Sequence, residues 1–222
     1  MIAENLQAVR STLPEGVQLV AVSKFHPVEA LREAYDAGQR VFGESHVQEL
    51  VAKHDALPPD IEWHFIGHLQ TNKVKQLAPF VSLIHAVDTF KLLKEIDRQA
   101  GRAGRTIRCL LQVHVAREET KFGFTPDELR EFLNEGDWRQ LAHVQICGLM
   151  CMATNTDDEA QIDREFALVE SLFRELKTRH FAQDDTFREL SMGMSDDYPI
   201  ALRHGATLVR VGSRIFGQRI YA

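Results

Sequence analysis

The sequence has few cysteines and lacks a long hydrophobic segment. Its three cysteines, Cys109, Cys147 and Cys151, are an odd number, and each lies among apolar neighbours. This usage is typical of a reduced intracellular protein. No apolar run reaches the roughly 18 residues that a membrane helix needs, and the first residues contain no run of signal-peptide length. We therefore expect a cytoplasmic protein that does not enter a membrane.

The chain also lacks an excess of positive charge. Lys and Arg total 26 against 32 Asp and Glu, which gives a net charge of -6. A mildly acidic chain is poorly matched to a phosphate backbone, so we expect no nucleic acid as a partner. Hydrophobic residues make up 44% and charged residues 26%, which excludes a disordered chain, a collagen-like repeat and a coiled coil. Without a linker or a sequence repeat to divide it, the chain is expected to form one domain over residues 1–222.

Eight short apolar segments recur along the chain, each of about strand length and rich in Val, Ile, Leu or Phe. Several are apolar almost throughout, as expected of strands that are covered on both faces. The eight segments are 18–24, 40–45, 62–67, 82–88, 108–115, 145–153, 188–195 and 207–217.

Helix signals separate these segments. Pro27 opens a helix that Gly38 ends, and residues 125–128 form a capping box with proline at the first helical position. Further helices are predicted from Asp157 to about Arg179 and from residues 195–197 to Gly205, which follows the helix. Alternating strands and helices imply parallel strands with right-handed crossovers, and eight such units predict an α/β fold, a single-domain (β/α)8 TIM barrel. An open doubly wound sheet is the alternative.

Lys24 is the first candidate site residue, because reacting groups in such barrels lie at the C-terminal ends of the strands. Strand alternation places Val20, Val22 and Lys24 on one face. A lysine that continues an apolar stripe is partly desolvated, and desolvation lowers the pKa of an amine. A neutral amine is the nucleophile that forms a Schiff base. The alternative is a lysine that ends the strand and extends into water.

The last two strands supply the other candidates. Arg210 lies between apolar residues and keeps its proton, so it needs either a structural carboxylate partner or a ligand atom. Small residues end these strands, in 191–193 and in Gly212-Ser213. Barrels often bind phosphate with these loops and the N-terminus of a short helix. Together with Lys24, they indicate a phosphorylated aldehyde held as a Schiff base, as in sugar-phosphate aldolases or pyridoxal phosphate proteins.

The motifs themselves distinguish between these two. They are AVSKFHP, VFGESHVQEL, WHFIGHLQTNK, KFGF, GLMCMAT and LSMGMSDDYPIAL followed by GATLVRVGSRIFG. From about Val20 to Gly217 the chain closely resembles the pyridoxal phosphate homeostasis protein family, single-domain relatives of the N-terminal barrel of alanine racemase. The resemblance implies a protein that holds pyridoxal 5'-phosphate (PLP) as an aldimine on Lys24 and acts in intracellular PLP homeostasis.

The resemblance also assigns contacts with the cofactor. It implies that Ser191, Gly212 and Ser213 hold the phosphate and that Met192 contributes a backbone contact. It implies that Arg210 faces the pyridine nitrogen.

Three further residues match the lining of the cofactor pocket. His64 and Met150 stand at such positions, and Ser45 replaces the asparagine of the commoner FGEN motif with a shorter side chain. His64 and His68 are four residues apart, but His68 falls beyond the strand, so we expect no metal site. The cysteines at 147 and 151 lack a ligand partner and are interpreted as buried core thiols.

Two functions fit such a site, a PLP-dependent amino acid racemase and a non-catalytic protein that binds and hands on the cofactor. PLP is a strong electron sink when its pyridine nitrogen is protonated, and the Arg210 guanidinium cannot accept a hydrogen bond from that proton. In the racemases of this fold, a second domain supplies a tyrosine base. We expect that domain to be absent here, and Tyr35, Tyr198 and Tyr221 lie in no matching motif. We therefore expect a monomeric, non-catalytic PLP-binding protein, with PLP-dependent apoenzymes as candidate recipients. A Schiff-base aldolase is disfavoured, since those enzymes normally carry the lysine on a later strand.

Overall fold

The computed structural model describes residues 1–118 and 122–218. Eight parallel strands close into a barrel in chain order, with β1 hydrogen-bonded to β8. All eight predicted strands are present, so the TIM barrel is confirmed and the open sheet is wrong. Lys121 of the KFGF motif and Tyr221 lie outside the described residues. The strands are β1 (Gln18–Val22), β2 (Val41–Glu44), β3 (Glu62–Phe65), β4 (Leu83–Val87), β5 (Ile107–Val113), β6 (Val144–Cys151), β7 (Glu189–Ser191) and β8 (Leu208–Val211).

Helices cover the outside of the barrel. The capping box of α6 forms as predicted, since the Thr125 hydroxyl accepts from the Glu128 N–H and the Glu128 carboxylate accepts from the Thr125 N–H. Gly136 ends that helix in the left-handed conformation, with φ of 80°. Two 3-10 helices, Thr71–Lys73 and Asp137–Gln140, complete the described elements. The α-helices are α1 (Ile2–Arg10), α2 (Val28–Asp36), α3 (Val47–Ala56), α4 (Val74–Leu77), α5 (Phe90–Arg102), α6 (Pro126–Glu135), α7 (Glu159–His180), α8 (Tyr198–Arg203) and α9 (Ser213–Phe216).

The hydrophobic core has two layers, because alternate residues of each strand point inward and outward. The outer layer packs the sheet against the helices and contains large buried side chains such as Phe42, Trp63 and Phe166. All three cysteines are buried, which confirms that they are core thiols. The described residues contain no helix both long and apolar enough to cross a bilayer. The inner layer fills the barrel with Val20, Val41, Leu83, Leu110, Cys147, Met150 and Leu208.

Candidate functional site

A cavity of about 220 Å³ lies at the C-terminal ends of the strands. Strand alternation places its first residues as predicted, since Val20 belongs to the inner core while Val22 and Lys24 line the cavity. The side chain of Lys24 is half-buried. The complete lining is Val22, Lys24, His26, Ser45, Ile66, Met152, Met194, Ser195, Asp196, Arg210, Gly212 and Ser213.

The cavity brings together five of the residues that the sequence singled out. They are Lys24, Ser45, Arg210, Gly212 and Ser213. These residues come from the ends of β1, β2 and β8, which are neighbours in the barrel although they are far apart in the chain. These five residues therefore contribute one amine, one guanidinium, two serine hydroxyls and one glycine to the lining.

The other four candidates lie elsewhere among the described residues. Met150 belongs to the inner core, and Met192 packs in the outer layer, with its N–H bonded to the Leu208 carbonyl at 3.2 Å. His64 and Ser191 are buried inside the barrel, and neither lines the cavity. None of these four residues therefore lines the described cavity.

Arg210 is almost fully buried, at 3% exposure, and its described hydrogen bonds go to neutral acceptors. Its Nη1 atom donates to Ser191 Oγ at 2.5 Å, and its Nη2 atom donates to the Cys151 carbonyl at 2.8 Å. Loss of hydration lowers the pKa of this guanidinium, and the nearby Asp197 acts in the opposite direction. The geometry therefore holds a cation at the cavity wall without a directly bonded carboxylate among the described residues.

Two buried histidines, His64 and His85, extend this arrangement, and no sequence motif indicated a role for His85. Its Nδ1 atom lies 2.8 Å from Ser191 Oγ, and its Nε2 atom lies 2.9 Å from Nδ1 of His64. Burial lowers the pKa of His64 to about 3 and that of His85 well below its usual value, so both rings are neutral. A hydrogen-bonded chain of two neutral histidines and Ser191 therefore connects the Arg210 cation at the cavity wall to the interior of the barrel.

These histidines predict a loss of stability in acid. As the pH falls below 6.5 the unfolded chain takes up a proton at His64, whereas the folded chain resists protonation until about pH 3. The contribution is complete above pH 6.5 and is lost progressively between 6.5 and 3. We expect His64→Gln to reduce the slope of unfolding free energy against pH by up to about 1.4 kcal/mol per pH unit. Urea unfolding at a series of pH values from 4 to 7 measures this slope. An equal change in His54→Gln, at a partly exposed histidine of α3, would contradict this.

Ser195, the second serine of the motif LSMGMS and a polar residue at the end of the seventh predicted strand, also lines the cavity. Gly193 has φ of 93°, and a Cβ there would lie 2.8 Å from Tyr198 Cα, so glycine is needed where the chain turns. The turn returns Ser195 to β8, where its hydroxyl accepts from the Gly212 N–H at 3.3 Å.

Gly212 is required by the backbone of β1. A Cβ at this position would lie 2.9 Å from the Val22 carbonyl oxygen. The residue therefore allows the ends of β1 and β8 to approach closely, and this approach brings Lys24 and Ser213 to one cavity. Glycine at 212 is thus explained by chain packing as well as by access to a ligand.

The structure is a closed (β/α)8 barrel with a lysine just beyond its first strand. Comparison with known proteins identifies the family to which this barrel belongs. Residues 1–220 match the family described as alanine racemase, N-terminal domain. A pyridoxal phosphate homeostasis protein of Aquifex aeolicus is 39% identical over 205 residues, which cover 92% of this chain and 88% of that protein. The protein of the same name from Pasteurella multocida is 38% identical over 228 residues, covering 100% and 96%.

Solved structures agree with these sequence relatives. PipY of Synechococcus elongatus PCC7942, without PLP, is 44% identical with a TM-score of 0.92, covering 98% of this chain and 100% of that one. The PLP-bound form of PipY gives a TM-score of 0.88. Alanine racemase of Streptomyces coelicolor A3(2) shares the fold, with 19% identity and a TM-score of 0.77, and the match covers 57% of it. The chain belongs to the alanine racemase N-terminal domain family and, within it, to the pyridoxal phosphate homeostasis proteins.

Proposed function

We propose that this protein binds PLP in the cytoplasm as part of PLP homeostasis, with Lys24 as the attachment point and without robust catalysis. The observation that carries the proposal is that Lys24 lines the same cavity as Arg210, Ser195, Gly212 and Ser213. The names of the relatives and the PLP-bound structure of PipY support it. PLP-dependent apoenzymes are the proposed recipients, and a monomer is the proposed working form.

The donors that line the cavity fit PLP. When bound, PLP supplies an aldehyde whose carbon forms a C=N bond to a lysine nitrogen, and the aldehyde oxygen leaves as water. Lys24 provides the amine at the end of an apolar strand face. Ser195 and Ser213 offer hydroxyls for the phosphate, and hydrogen bonds to a charged group are stronger than those between neutral groups. The Arg210 cation adds positive charge on the same wall.

Two features of the described residues disfavour racemisation. Arg210 is a permanent cation, and a cation beside a ring nitrogen opposes protonation of that nitrogen, which weakens electron withdrawal by the ring. The described part of the lining also contains no tyrosine that could act as the second base of the racemases. The Tyr35 hydroxyl donates to Asp60 at 2.7 Å, and the Tyr198 hydroxyl lies 2.9 Å from Thr12 Oγ1. We therefore propose a binding protein and not an enzyme.

A spectrum of the purified protein tests this proposal. We expect added PLP to give a shifted absorption band that borohydride reduction removes, with the reduced adduct on Lys24. We also expect L-alanine to remain unracemised over hours, with an authentic alanine racemase as the positive control. Absence of the band would overturn the binding function, and multiple turnovers of alanine would overturn the non-catalytic part. Transfer of PLP to an apoenzyme faster than PLP leaves into buffer would support the recipients we propose.

The phosphate contacts make a separate prediction. Hydrogen bonds to a charged group contribute about 1.5–3 kcal/mol each, so Ser195→Ala with Ser213→Ala should weaken PLP binding by roughly 3–6 kcal/mol if the two effects add. Binding of unphosphorylated pyridoxal should change little, because Lys24 is retained. Titration of both aldehydes into wild type and variant measures the preference. Ser171→Ala is the matched control, because Ser171 is exposed on α7 and does not line the described cavity. An undiminished preference in the double variant would place the phosphate elsewhere.

A further inference from the structure

A buried ionic cluster lies directly behind the strand end that carries Lys24. It consists of Ser23, Glu44, Glu49 and Lys53, and we refer to it as the Lys53 cluster. The side chain of Lys53 is 5% exposed, that of Glu44 is fully buried and that of Glu49 is 21% exposed. Lys53 and Glu49 come from α3 and Glu44 from β2. The cluster therefore fills the space between the sheet and α3, on the side of the sheet opposite the cavity.

Lys53 makes a complete set of hydrogen bonds. Its Nζ atom lies 2.7 Å from each of three oxygens, Glu44 Oε1, Glu49 Oε1 and the Ser23 carbonyl. An ammonium has three N–H donors, so the three acceptors satisfy it. Such a match compensates for much of the hydration that a buried cation loses.

The cluster holds the chain on both sides of Lys24. The Ser23 hydroxyl donates to Glu44 Oε1 at 2.6 Å, while the Ser23 carbonyl accepts from Lys53. On the other side, the Phe25 N–H donates to Glu49 Oε1 at 2.6 Å. The residues immediately before and after Lys24 are therefore bonded to the same few side chains.

The held segment has an unusual backbone conformation. The His26 N–H donates to the Ser23 carbonyl at 3.1 Å and closes a turn with Lys24 and Phe25 at its centre. Phe25 has φ of 65°, in the left-handed region, and it is the one non-glycine residue with positive φ among the described residues. A non-glycine residue there is strained and persists when its surroundings hold it. The bond from Phe25 to Glu49 is such a restraint.

Stability alone is a weak explanation for these charges. Replacement of a buried ion pair by apolar side chains of similar volume is often neutral or stabilising. Burial also raises the pKa of Glu44 to about 7, although Lys53 opposes the shift, which shows that its charge is costly to bury. A second oxygen of this carboxylate, Oε2, is buried without a hydrogen-bond partner among the described residues.

We propose that Lys53, Glu44 and Glu49 are positioning residues that fix the Ser23–His26 turn and thereby hold the Lys24 amine in the cavity. The inference rests on the proposed role of Lys24 as the attachment point for PLP. It assigns to the cluster a function that operates through the backbone, since its contacts are with Ser23 and Phe25 on either side of the lysine.

The test uses the double variant Glu44→Gln with Lys53→Met, which removes both buried charges and avoids an uncompensated one. We expect PLP to attach to Lys24 at least about tenfold more slowly than in wild type, because small losses of orientation lower rates strongly. In the cofactor-free protein, we expect the Phe25 amide hydrogen to exchange at least about tenfold faster. The unfolding midpoint in urea should stay near that of wild type.

A second variant and a control complete the test. Glu49→Ala removes the acceptor of Phe25 at a partly exposed position, so it decides the outcome if the double variant does not fold. Asp55→Ala, on the same helix but outside the cluster, should attach PLP at the wild-type rate. Wild-type attachment and exchange rates in both cluster variants would overturn the inference. Slower attachment that merely follows lost stability, with Phe25 exchange unchanged, would also overturn it. Absence of attachment in wild type would overturn the proposed function, whereas the exchange rates would still report whether the cluster holds the turn.

Discussion

Replacement of Lys24 with alanine is expected to abolish covalent attachment of PLP while the barrel stays folded. Among the described residues, Lys24 is the one lysine that lines the cavity, and its side chain is half-buried at the end of β1. Lys53 is close in the fold, but its ammonium is bonded to three oxygens behind the sheet. Because a neutral and accessible amine is needed for condensation with an aldehyde, no other described lysine is placed to substitute for Lys24.

Borohydride reduction followed by peptide mapping measures this effect. Wild type should carry the phosphopyridoxyl group on Lys24, and Lys24→Ala should carry none at an equal dose of PLP. Lys73→Ala and Lys75→Ala serve as controls, because neither lysine lines the cavity. Lys73 lies in the 3-10 helix Thr71–Lys73 and Lys75 in α4. A label on Lys73, Lys75 or Lys121 of wild type, with none on Lys24, would contradict the prediction.

Of all the substitutions considered, Arg210→Glu is expected to lower the free energy of unfolding most. The change would leave Ser191 Oγ and the Cys151 carbonyl without the donor that both now have. It would also bury an unpaired carboxylate, and an uncompensated buried charge typically costs about 3–5 kcal/mol. Asp197 lies near enough to influence Arg210 electrostatically, so a second negative charge there adds repulsion.

The same substitution should change the spectrum of bound PLP. A carboxylate beside the ring favours a protonated pyridine nitrogen, whereas the guanidinium opposes it. Urea unfolding and absorbance titration give the two readouts, and Arg210→Gln is the matched control because it keeps a donor and introduces no charge. Unaltered stability and an unaltered spectrum in Arg210→Glu would show that Arg210 does not face the ring.

The barrel was predictable because its signals are local. Eight apolar segments of strand length alternate with helix signals, and residues 125–128 contain the complete capping box that the structure shows at α6. Strand ends were less predictable. The predicted strand segment 188–195 contains only the three residues of β7, because Gly193 turns the chain soon after Ser191. A turn that depends on one positive φ leaves little trace in an apolar pattern.

Part of the site was predictable for the same reason, and the rest depends on contacts across the fold. The position of Lys24 follows from alternation along one strand. Which serine of LSMGMS lines the cavity depends on where β7 ends, and the structure places Ser195 there. His85 is one polar residue in an apolar strand, and Lys53 lies in an amphipathic helix where lysine is usually exposed. Their partners, Ser191 and Glu44, are distant in the sequence, so no local pattern reveals them.

The chain of buried polar groups beneath the cavity has a consequence for how the protein assembles. His64 and His85 belong to the first four strands, whereas Ser191 and Arg210 belong to the last two. The bond between His85 and Ser191 therefore joins the two halves of the barrel across 106 positions of sequence. Either half alone would leave its member of this bond without the other. A buried polar group that loses its partner costs about 1–3 kcal/mol. The bond between His85 and Ser191 thus forms only when both halves are in place, which couples the two halves into one cooperative folding unit.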